Sequence, residues 1–534
     1  MGTRSSDRAR TSTDQEIAGV TRRRFLRGLG GSAVGAGAYA VAGGPATLGS
    51  HIAGAQSGPS QSPLNFGRMF PGLPPFAPDG PALRAALTDI GRPGGILDAR
   101  DNLAAGPVEL ILDPALSVNN PNNATHTAGT TFLGQFLDHD VTFDAASPLG
   151  VRTEPRTSRN TRTPSLDLDS LYGAGPTGSP QLYQEDRTKL RIESGGLFED
   201  LPRDSTGRAV ISDPRNDENL IIAGLHAAFI TFHNAVVDIV RAERRTLPSL
   251  VFTEARRRVT WHYQWIVVRE FLPQILGQSV VDDILRRGRR FYRPPFNGAF
   301  MPVEFQGAAY RFGHSMIRPS YRANLAGDNG AAFFGMIFDP AGQGQADPVD
   351  MRGGARAPRR FIGWQTFFDF GDGEVRPNKI IDARLSTPLF NLPLAAISSG
   401  DPPTSLATRN LLRHITWSQP SGQSIARAIG AAPLSSGDLS ELSAYGLGLE
   451  RNTPLWYYIL KEAGAVNGGL RLGPVGARIV GEVFIGVLQL QPDSYLNRIG
   501  WRPTLPRRNT SATGDYRMVD LLTLANVDPT SRGQ

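Results

Sequence analysis

The run Gly134-Gln-Phe-Leu-Asp-His-Asp-Val-Thr-Phe-Asp144 sets His139 between two carboxylates, Asp138 and Asp140, with the amide of Gln135 one helical turn before it. Groups of these types at this spacing move protons, hold a metal or line a polar cavity. Burying them among Phe136, Leu137, Val141 and Phe143 is costly unless a metal, a cofactor or a partner charge compensates. The alternative is a solvated helix face carrying one stray histidine.

Three further clusters carry comparable chemistry. Asp213-Pro-Arg215-Asn-Asp-Glu218 places a cation and a carboxylate three residues apart at an expected helix start, as site groups or as an ordinary ion pair. Tyr310-Arg311-Phe312-Gly313-His314 puts a second histidine in apolar company, where it is either a core residue or a metal ligand. A ligand histidine wants an acceptor on its other ring nitrogen, and Asn410, in Asn410-Leu-Leu-Arg413, is a candidate. Thr163-Pro-Ser165-Leu-Asp167-Leu-Asp169 alternates oxygen-bearing and apolar residues. Read as extended chain, it turns Thr163, Ser165, Asp167 and Asp169 to one side. That suits a hard cation such as calcium, and it equally suits the polar face of an edge strand.

The elements that must position these groups are mainly helical. Apolar periodicity predicts one long helix from Arg215 to about Glu243 and another from Thr253 through Leu276. Shorter helices are expected around Asn410–Leu412 and over Gly473–Leu490. The Gly/Pro-rich stretches 318–355 and 398–408 read as long surface loops, and 56–80 as an extended arm laid on the body. There is no internal repeat and no dividing linker, so 56–534 reads as one large domain.

With 534 residues, 40% of them hydrophobic and 20% charged, the chain can bury a sizeable core. It contains no Cys, so its folding needs no oxidising compartment. Arg4, Arg8, Arg10, Arg22, Arg23, Arg24 and Arg27, against Asp7, Asp14 and Glu16, account for more than half of the formal +7. The remainder has no clustered basic face, which excludes a nucleic-acid partner. Thr21-Arg22-Arg23-Arg24-Phe25-Leu26-Arg27 fits a twin-arginine export signal, followed by a Gly/Ala-rich apolar run too short for a stable span. Ala53-Gly54-Ala55 offers a cleavage site. Residues 1–55 are therefore read as a signal cleaved near Ala55. The export machinery is an expected partner, and the destination is periplasmic or extracellular. No other segment is expected to reach membrane-spanning length.

Taken in order, these clusters resemble the peroxidase–cyclooxygenase superfamily, which includes myeloperoxidase and lactoperoxidase. The similarity runs from Arg68-Met-Phe-Pro to Asn526, through Gly134–Asp140, Leu168-Asp-Ser-Leu-Tyr-Gly173, Arg215–Glu218, Arg311-Phe-Gly-His314 and Asn410–Arg413. It implies a single, mainly α haem-peroxidase domain with the haem between central helices, few short strands and long loops.

The resemblance also implies roles. His139 is the distal base that takes a proton from hydrogen peroxide and returns it to the leaving oxygen. Arg215 is the distal cation and Gln135 lines their cavity. His314 is the iron ligand of haem b, with Asn410 fixing its ring and Arg413 placed for a propionate. Asp138 and Glu218 match the carboxylates that form ester bonds to haem. Asp140 joins Thr163, Ser165, Asp167 and Asp169 in a calcium site, where Asp169 stands for a serine of mammalian relatives. Two departures limit the analogy. Position 219 is Asn where myeloperoxidase has a sulfonium-forming Met, which disfavours chloride against bromide, iodide, thiocyanate or phenolic donors. Position 311 is Arg where the oxygenase branches carry a radical tyrosine, and adjacent Tyr310 is rotated by about 100° on a helix.

The alternatives are a fatty-acid dioxygenase of the same superfamily and a non-catalytic, peroxidase-like adhesion protein. His226 and His233, seven apart on the long helix, are read as packing residues rather than a metal pair. His262 and His414 are read as structural.

Overall fold

Long apolar helices with almost no polar face occupy the centre of the fold, and the site residues sit at their ends and in the turns between them. The computed structural model describes residues 64–533, apart from 296–297, 343, 346, 398 and 509–514. The expected export signal, its cleavage near Ala55 and the first part of the arm lie outside the described residues.

Seven helices organise the site: α1 (Pro81–Gly91), α2 (Ala128–Val141), α3 (Leu220–Ala242), α4 (Val251–Ile266), α5 (Leu406–Thr416), α6 (Leu455–Asn467) and α7 (Pro474–Leu490). Helix α3 packs against both α2 and α4, α1 against α5, and α6 against α7. Among the described residues the strands form three short antiparallel pairs. β1 (Asn122–Thr127) pairs with β4 (Pro377–Lys379), with an irregularity in register between Asn122↔Lys379 and Thr127↔Pro377. β2 (Ser320–Arg322) pairs with β3 (Phe334–Met336), and Glu193–Ser194 pairs with Glu199–Asp200. The mainly α architecture with few short strands is the one expected.

β1 runs straight into α2 and fixes its start. The amide of Ala128 donates to Arg376 O and that of Gly129 to Phe367 O, both at 2.8 Å. At Gly129 a Cβ would strike Phe367 O and the Phe368 ring, so only glycine allows this approach.

The long helix expected from Arg215 begins instead at Leu220. Asn219 is extended, with φ −141° and ψ 159°, and its side chain caps the amide of Ile222. Pro214–Asp217 forms a separate tight turn started by the Asp213 side chain. Arg215 and Glu218 therefore precede the helix rather than sharing its face. Gly353 packs on this turn so closely that a Cβ there would collide with the Asp217 carbonyl.

The helix expected over Thr253–Leu276 is broken by a wide turn, Val267–Phe271, before a last short helix, Leu272–Leu276. Pro273 supplies no amide to the helical ladder, and a widened turn is one way to accommodate that loss. The helix of α7 starts one residue later than expected, at Pro474.

Contrary to the sequence expectation, one described segment is long and apolar enough to cross a membrane by length and composition. It is α3, and 83% of the relevant window is buried inside the fold. Its hydrophobicity serves the core.

The stretch 318–355 is also not a plain surface loop. Arg318, Ser320, Asn324 and Asp350 are buried in it. Asn324 satisfies the backbone there, accepting from Gly327 N at 2.8 Å and donating to Phe361 O at 3.0 Å. The stretch 398–408 ends inside α5, which Ser405 caps through the amide of Thr408. The described part of the arm buries Phe66, Met69, Phe70 and Phe76. The buried Glu304 carboxylate anchors it by accepting from Met69 N and Phe70 N at 2.9 and 3.0 Å.

Candidate active site

A cavity of about 650 Å³ opens between α2, the turn 214–219, the segment 306–317 and α5. Gln135, Asp138, His139, Arg215, Glu218, His314 and Arg413 all line it. Apolar walls from Phe312, Met316, Ile317, Leu389 and Leu392 face Arg311, Arg409 and Arg413.

At the α2 end, Nδ1 of His139 lies 2.8 Å from Asn216 Oδ1. An amide oxygen only accepts, so the His139 proton sits on Nδ1 and Nε2 keeps its lone pair. Nε2 lies 3.9 Å from Glu218 Oε1. Burial and the nearby Arg215 cation lower the His139 pKa to about 3, so the ring is neutral. Burial pushes the Glu218 carboxyl up to about 8 against the pull of Arg215, and Asp213 and Asp138 add to the rise. Gln135 donates to Glu218 Oε1 and accepts from Asn219 Nδ2 at 3.2 Å.

Arg215 is firmly held. Its Nε and Nη2 donate to the two Asp213 oxygens at 3.0 and 2.8 Å, and Nη2 also reaches Thr142 O at 2.8 Å. Its guanidinium lies over the Phe143 ring, 4.2 Å from the centroid, and 3.5 Å from Asp138 Oδ2. Burial alone would raise the Asp213 carboxyl, but Arg215 and the other neighbouring charges hold it well below the usual range. Asp138 itself is raised by burial.

At the other end, His314 lies on the tight helical segment Ala309–Met316. Asn410 Nδ2 lies 2.7 Å from its Nδ1, while Asn410 Oδ1 accepts from Arg311 Nη1 at 2.8 Å. Burial and Arg311 lower the His314 pKa to about 3, which keeps the ring neutral, the form that ligates metals. Arg413 donates to Asp144 Oδ2 at 3.0 Å and to Ser147 O at 3.1 Å. The hydroxyl of Tyr310 donates to Gly134 O at 3.0 Å, and its ring stacks on Phe305 with centroids 4.7 Å apart.

Beside His139 in the chain, carboxylate oxygens of Asp140, Asp167 and Asp169 lie within 4.8 Å of one another. The 163–169 stretch is a loop rather than an extended strand, and Leu168 turns it with φ 60°. Thr163 Oγ1 donates to Asp167 Oδ1 and Asp169 Oδ2, both at 3.0 Å. Asp140 accepts from Tyr263 Oη at 3.0 Å and from Leu168 N at 3.1 Å. Arg162 Nη1 reaches Asp169 at 3.3 Å. Burial raises all three carboxyls, and their mutual repulsion adds to the rise of Asp140 and Asp167. Among the described residues Ser165 is not brought to the carboxylates by any side-chain bond; its amide donates to Thr163 O at 2.8 Å.

His226, His233, His262 and His414 have ordinary partners. His233 Nδ1 meets Tyr172 Oη and Nε2 meets Thr188 O, both at 3.0 Å, while His226 faces Asn216. They share no partner. His262 accepts from Thr504 N, and His414 from Trp456 N, both at 2.9 Å.

Asp213, Asn216 and Asp144 were not singled out from sequence, although each touches a site residue. Asp213 had a signal, the Asp-Pro pair that caps a turn. Asn216 and Asp144 had none.

The family model for animal haem peroxidase matches residues 144–333, which hold Asp167, Asp169, Arg215, Glu218 and His314 but not His139 or Asn410. Peroxidase mlt-7 of Caenorhabditis elegans is 29% identical over 223 residues, covering 37% of this chain and 29% of that protein. Thyroid peroxidase of Rattus norvegicus is 24% identical over 234 residues, 39% of this chain and 25% of that protein. The chain thus spans under a third of the length of these relatives. Among solved structures, Peroxidase A from Dictyostelium discoideum has a TM-score of 0.58 at 16% identity, over 87% of this chain and 94% of that one. A fatty acid alpha-dioxygenase of Oryza sativa with palmitic acid has a TM-score of 0.51 at 16% identity, over 74% of each chain. At this identity the two structures speak to fold alone.

Proposed function

We propose that the chain is an exported haem peroxidase of the peroxidase–cyclooxygenase superfamily, a reading supported by the animal haem peroxidase model over 144–333 and by the peroxidase relatives. It reduces hydrogen peroxide and oxidises small anions such as bromide, iodide or thiocyanate, or phenolic and aromatic donors. The observation that carries this reading is one cavity lined by two neutral histidines from separate elements, one of them with its free nitrogen set by Asn216.

The residues present fit haem b. The cavity lies within the 300–1,000 Å³ range of cofactor sites, and it combines apolar walls with cations suited to carboxylate side chains. His314 would hold the iron, Arg413 would pair with a propionate, and Asp138 and Glu218 would offer carboxylates for ester links. When bound, haem supplies the redox-active iron at which peroxide is split. Reduction of one peroxide to two waters takes two protons, with two electrons drawn from the donor. His139 Nε2 would take a proton from one oxygen of hydrogen peroxide and return it to the other, which leaves as water. Arg215 stabilises the charge that develops as the bond breaks, at a fixed position and without reorganisation. Gln135 and Asn219 offer amide contacts to water or a small anion.

The three carboxylates with the Thr163 hydroxyl fit calcium, which takes oxygen ligands and would relieve their repulsion. Bound there, it would brace α2 beside His139. Export through the twin-arginine route rests on the motif at 21–27.

The test is reconstitution. Protein supplied with haem develops a Soret band and then oxidises iodide or a phenolic dye only when peroxide is added. Protein that stays colourless overturns the enzymatic reading, and haem-loaded protein inert to peroxide overturns the reaction.

A further inference from the structure

Asn216 is fully buried and stands between two imidazoles. Its Oδ1 lies 2.8 Å from His139 Nδ1, and its Nδ2 lies 2.9 Å from His226 Nδ1. His226 lies on α3 and is itself buried, packing edge-on to Phe136 of α2 with ring centroids 6.3 Å apart. The Asn216 backbone is also fixed, its amide donating to Asp213 O at 3.0 Å in the turn on which Gly353 presses.

The two ends of the amide have opposite consequences. With oxygen toward His139, the imidazole proton is held on Nδ1 and Nε2 is a bare acceptor. With nitrogen toward His139, Nδ1 must accept, and the proton moves to Nε2. A ring in that second form takes no proton from a molecule in the cavity. In the first arrangement His226 offers Nδ1 as the acceptor that the amide NH₂ needs, and carries its own proton on Nε2. A buried NH₂ facing no acceptor costs about 1–3 kcal/mol.

We propose that Asn216, clamped between His139 and His226, is a positioning residue that holds His139 in its Nδ1–H form and aims the bare Nε2 at the cavity. For its role in the reaction this rests on the peroxidase reading, whereas the tautomer is a property of the chain itself.

The first experiment needs no cofactor. The full chain is labelled with nitrogen-15 at histidine, and the His139 resonances are assigned by their loss in His139→Gln. The expected result is a protonated Nδ1 and an unprotonated Nε2; a protonated Nε2 in the parent overturns the proposal. The second uses two variants loaded with haem. Asn216→Leu, which cannot accept, lowers the second-order rate with peroxide roughly 10–100-fold, the usual effect of losing such an outer partner. Asn216→Asp, which can only accept, stays within a few fold of the parent and keeps the Nδ1–H form. Equal loss in both variants, or loss in neither, overturns the proposal. A parent that takes up no haem refutes the peroxidase reading instead, and the tautomer measurement still decides the role of Asn216.

Discussion

His139 and His314 each present Nδ1 to an asparagine side chain, and the two amides face opposite ways. Asn216 turns its oxygen to His139, which leaves Nε2 bare for proton transfer. Asn410 turns its nitrogen to His314, because its oxygen is taken by Arg311 at 2.8 Å. A neutral His314 then keeps its proton on Nε2, whereas an iron ligand needs that nitrogen bare. The His139 end is thus set for its chemistry as it stands. At the His314 end the amide is tied to Arg311, and a metal bound at Nε2 would have to displace that proton. Burial and Arg413 lower the Arg311 pKa to about 10, which leaves it a cation beside the Asn410 oxygen. The same residue type serves two histidines differently because only one of the amides is also tied to a cation.

The largest expected effect separates the two ends outright. His314→Ala loses haem on gel filtration. His139→Ala keeps its Soret band but reacts with peroxide roughly 10²–10⁴-fold more slowly. Haem loss from the His139 variant and retention by the His314 variant would reverse the assignment.

Next in size is the amide itself. Arg311→Leu frees the Asn410 oxygen, and histidine nitrogen-15 spectra of the cofactor-free variant are expected to show His314 moved to the Nδ1–H form. An unchanged tautomer means that something other than Arg311 orients Asn410.

A smaller effect concerns only the His139 end. Calcium is expected to raise the melting temperature of the parent, by as much as about 2.7 kcal/mol of stabilisation at a hundredfold excess over Kd. Chelator reverses the effect, and Asp167→Ala abolishes it while leaving haem uptake intact. A melting temperature blind to both calcium and chelator removes the metal from the account.

A further effect is a pH dependence at Glu218. Its carboxyl is raised by burial to about 8, so the native state holds a proton that the unfolded chain releases. This contribution to stability is full below the ordinary carboxyl range and is lost by the time pH has passed about 8. Glu218→Gln stays neutral throughout, so its stability relative to the cofactor-free parent should grow between pH 4.5 and 8. A constant difference across that range would place the Glu218 proton elsewhere.

The helical character was legible because α3, α4 and α7 carry continuous apolar periodicity. The start of α3 was not, since Asn219 reads as one more polar residue until its side chain is seen to cap Ile222. Gln135, Asp138 and His139 were legible as a set because a short helical run brings them together. The pairing of Arg413 with Asp144 spans 269 residues and leaves no local trace. Asn216 was hidden for another reason. It sits in a turn full of polar residues, and its importance lies in which end of its amide faces His139. Asp167 and Asp169 were read together from their oxygen chemistry, whereas Asp140 joined them only through the resemblance; the structure brings the three carboxylates together on a loop that turns at Leu168 instead of running straight.

The central claim is that this cavity binds haem and reduces peroxide with electrons from a small donor. The most direct measurement follows iodide oxidation by the haem-loaded full chain on addition of hydrogen peroxide, with His139→Ala beside it. The account expects rapid oxidation that depends on both haem and peroxide and nearly vanishes in the variant. Equal rates in parent and variant, or no oxidation of iodide or any phenolic donor by a haem-loaded parent, would contradict it.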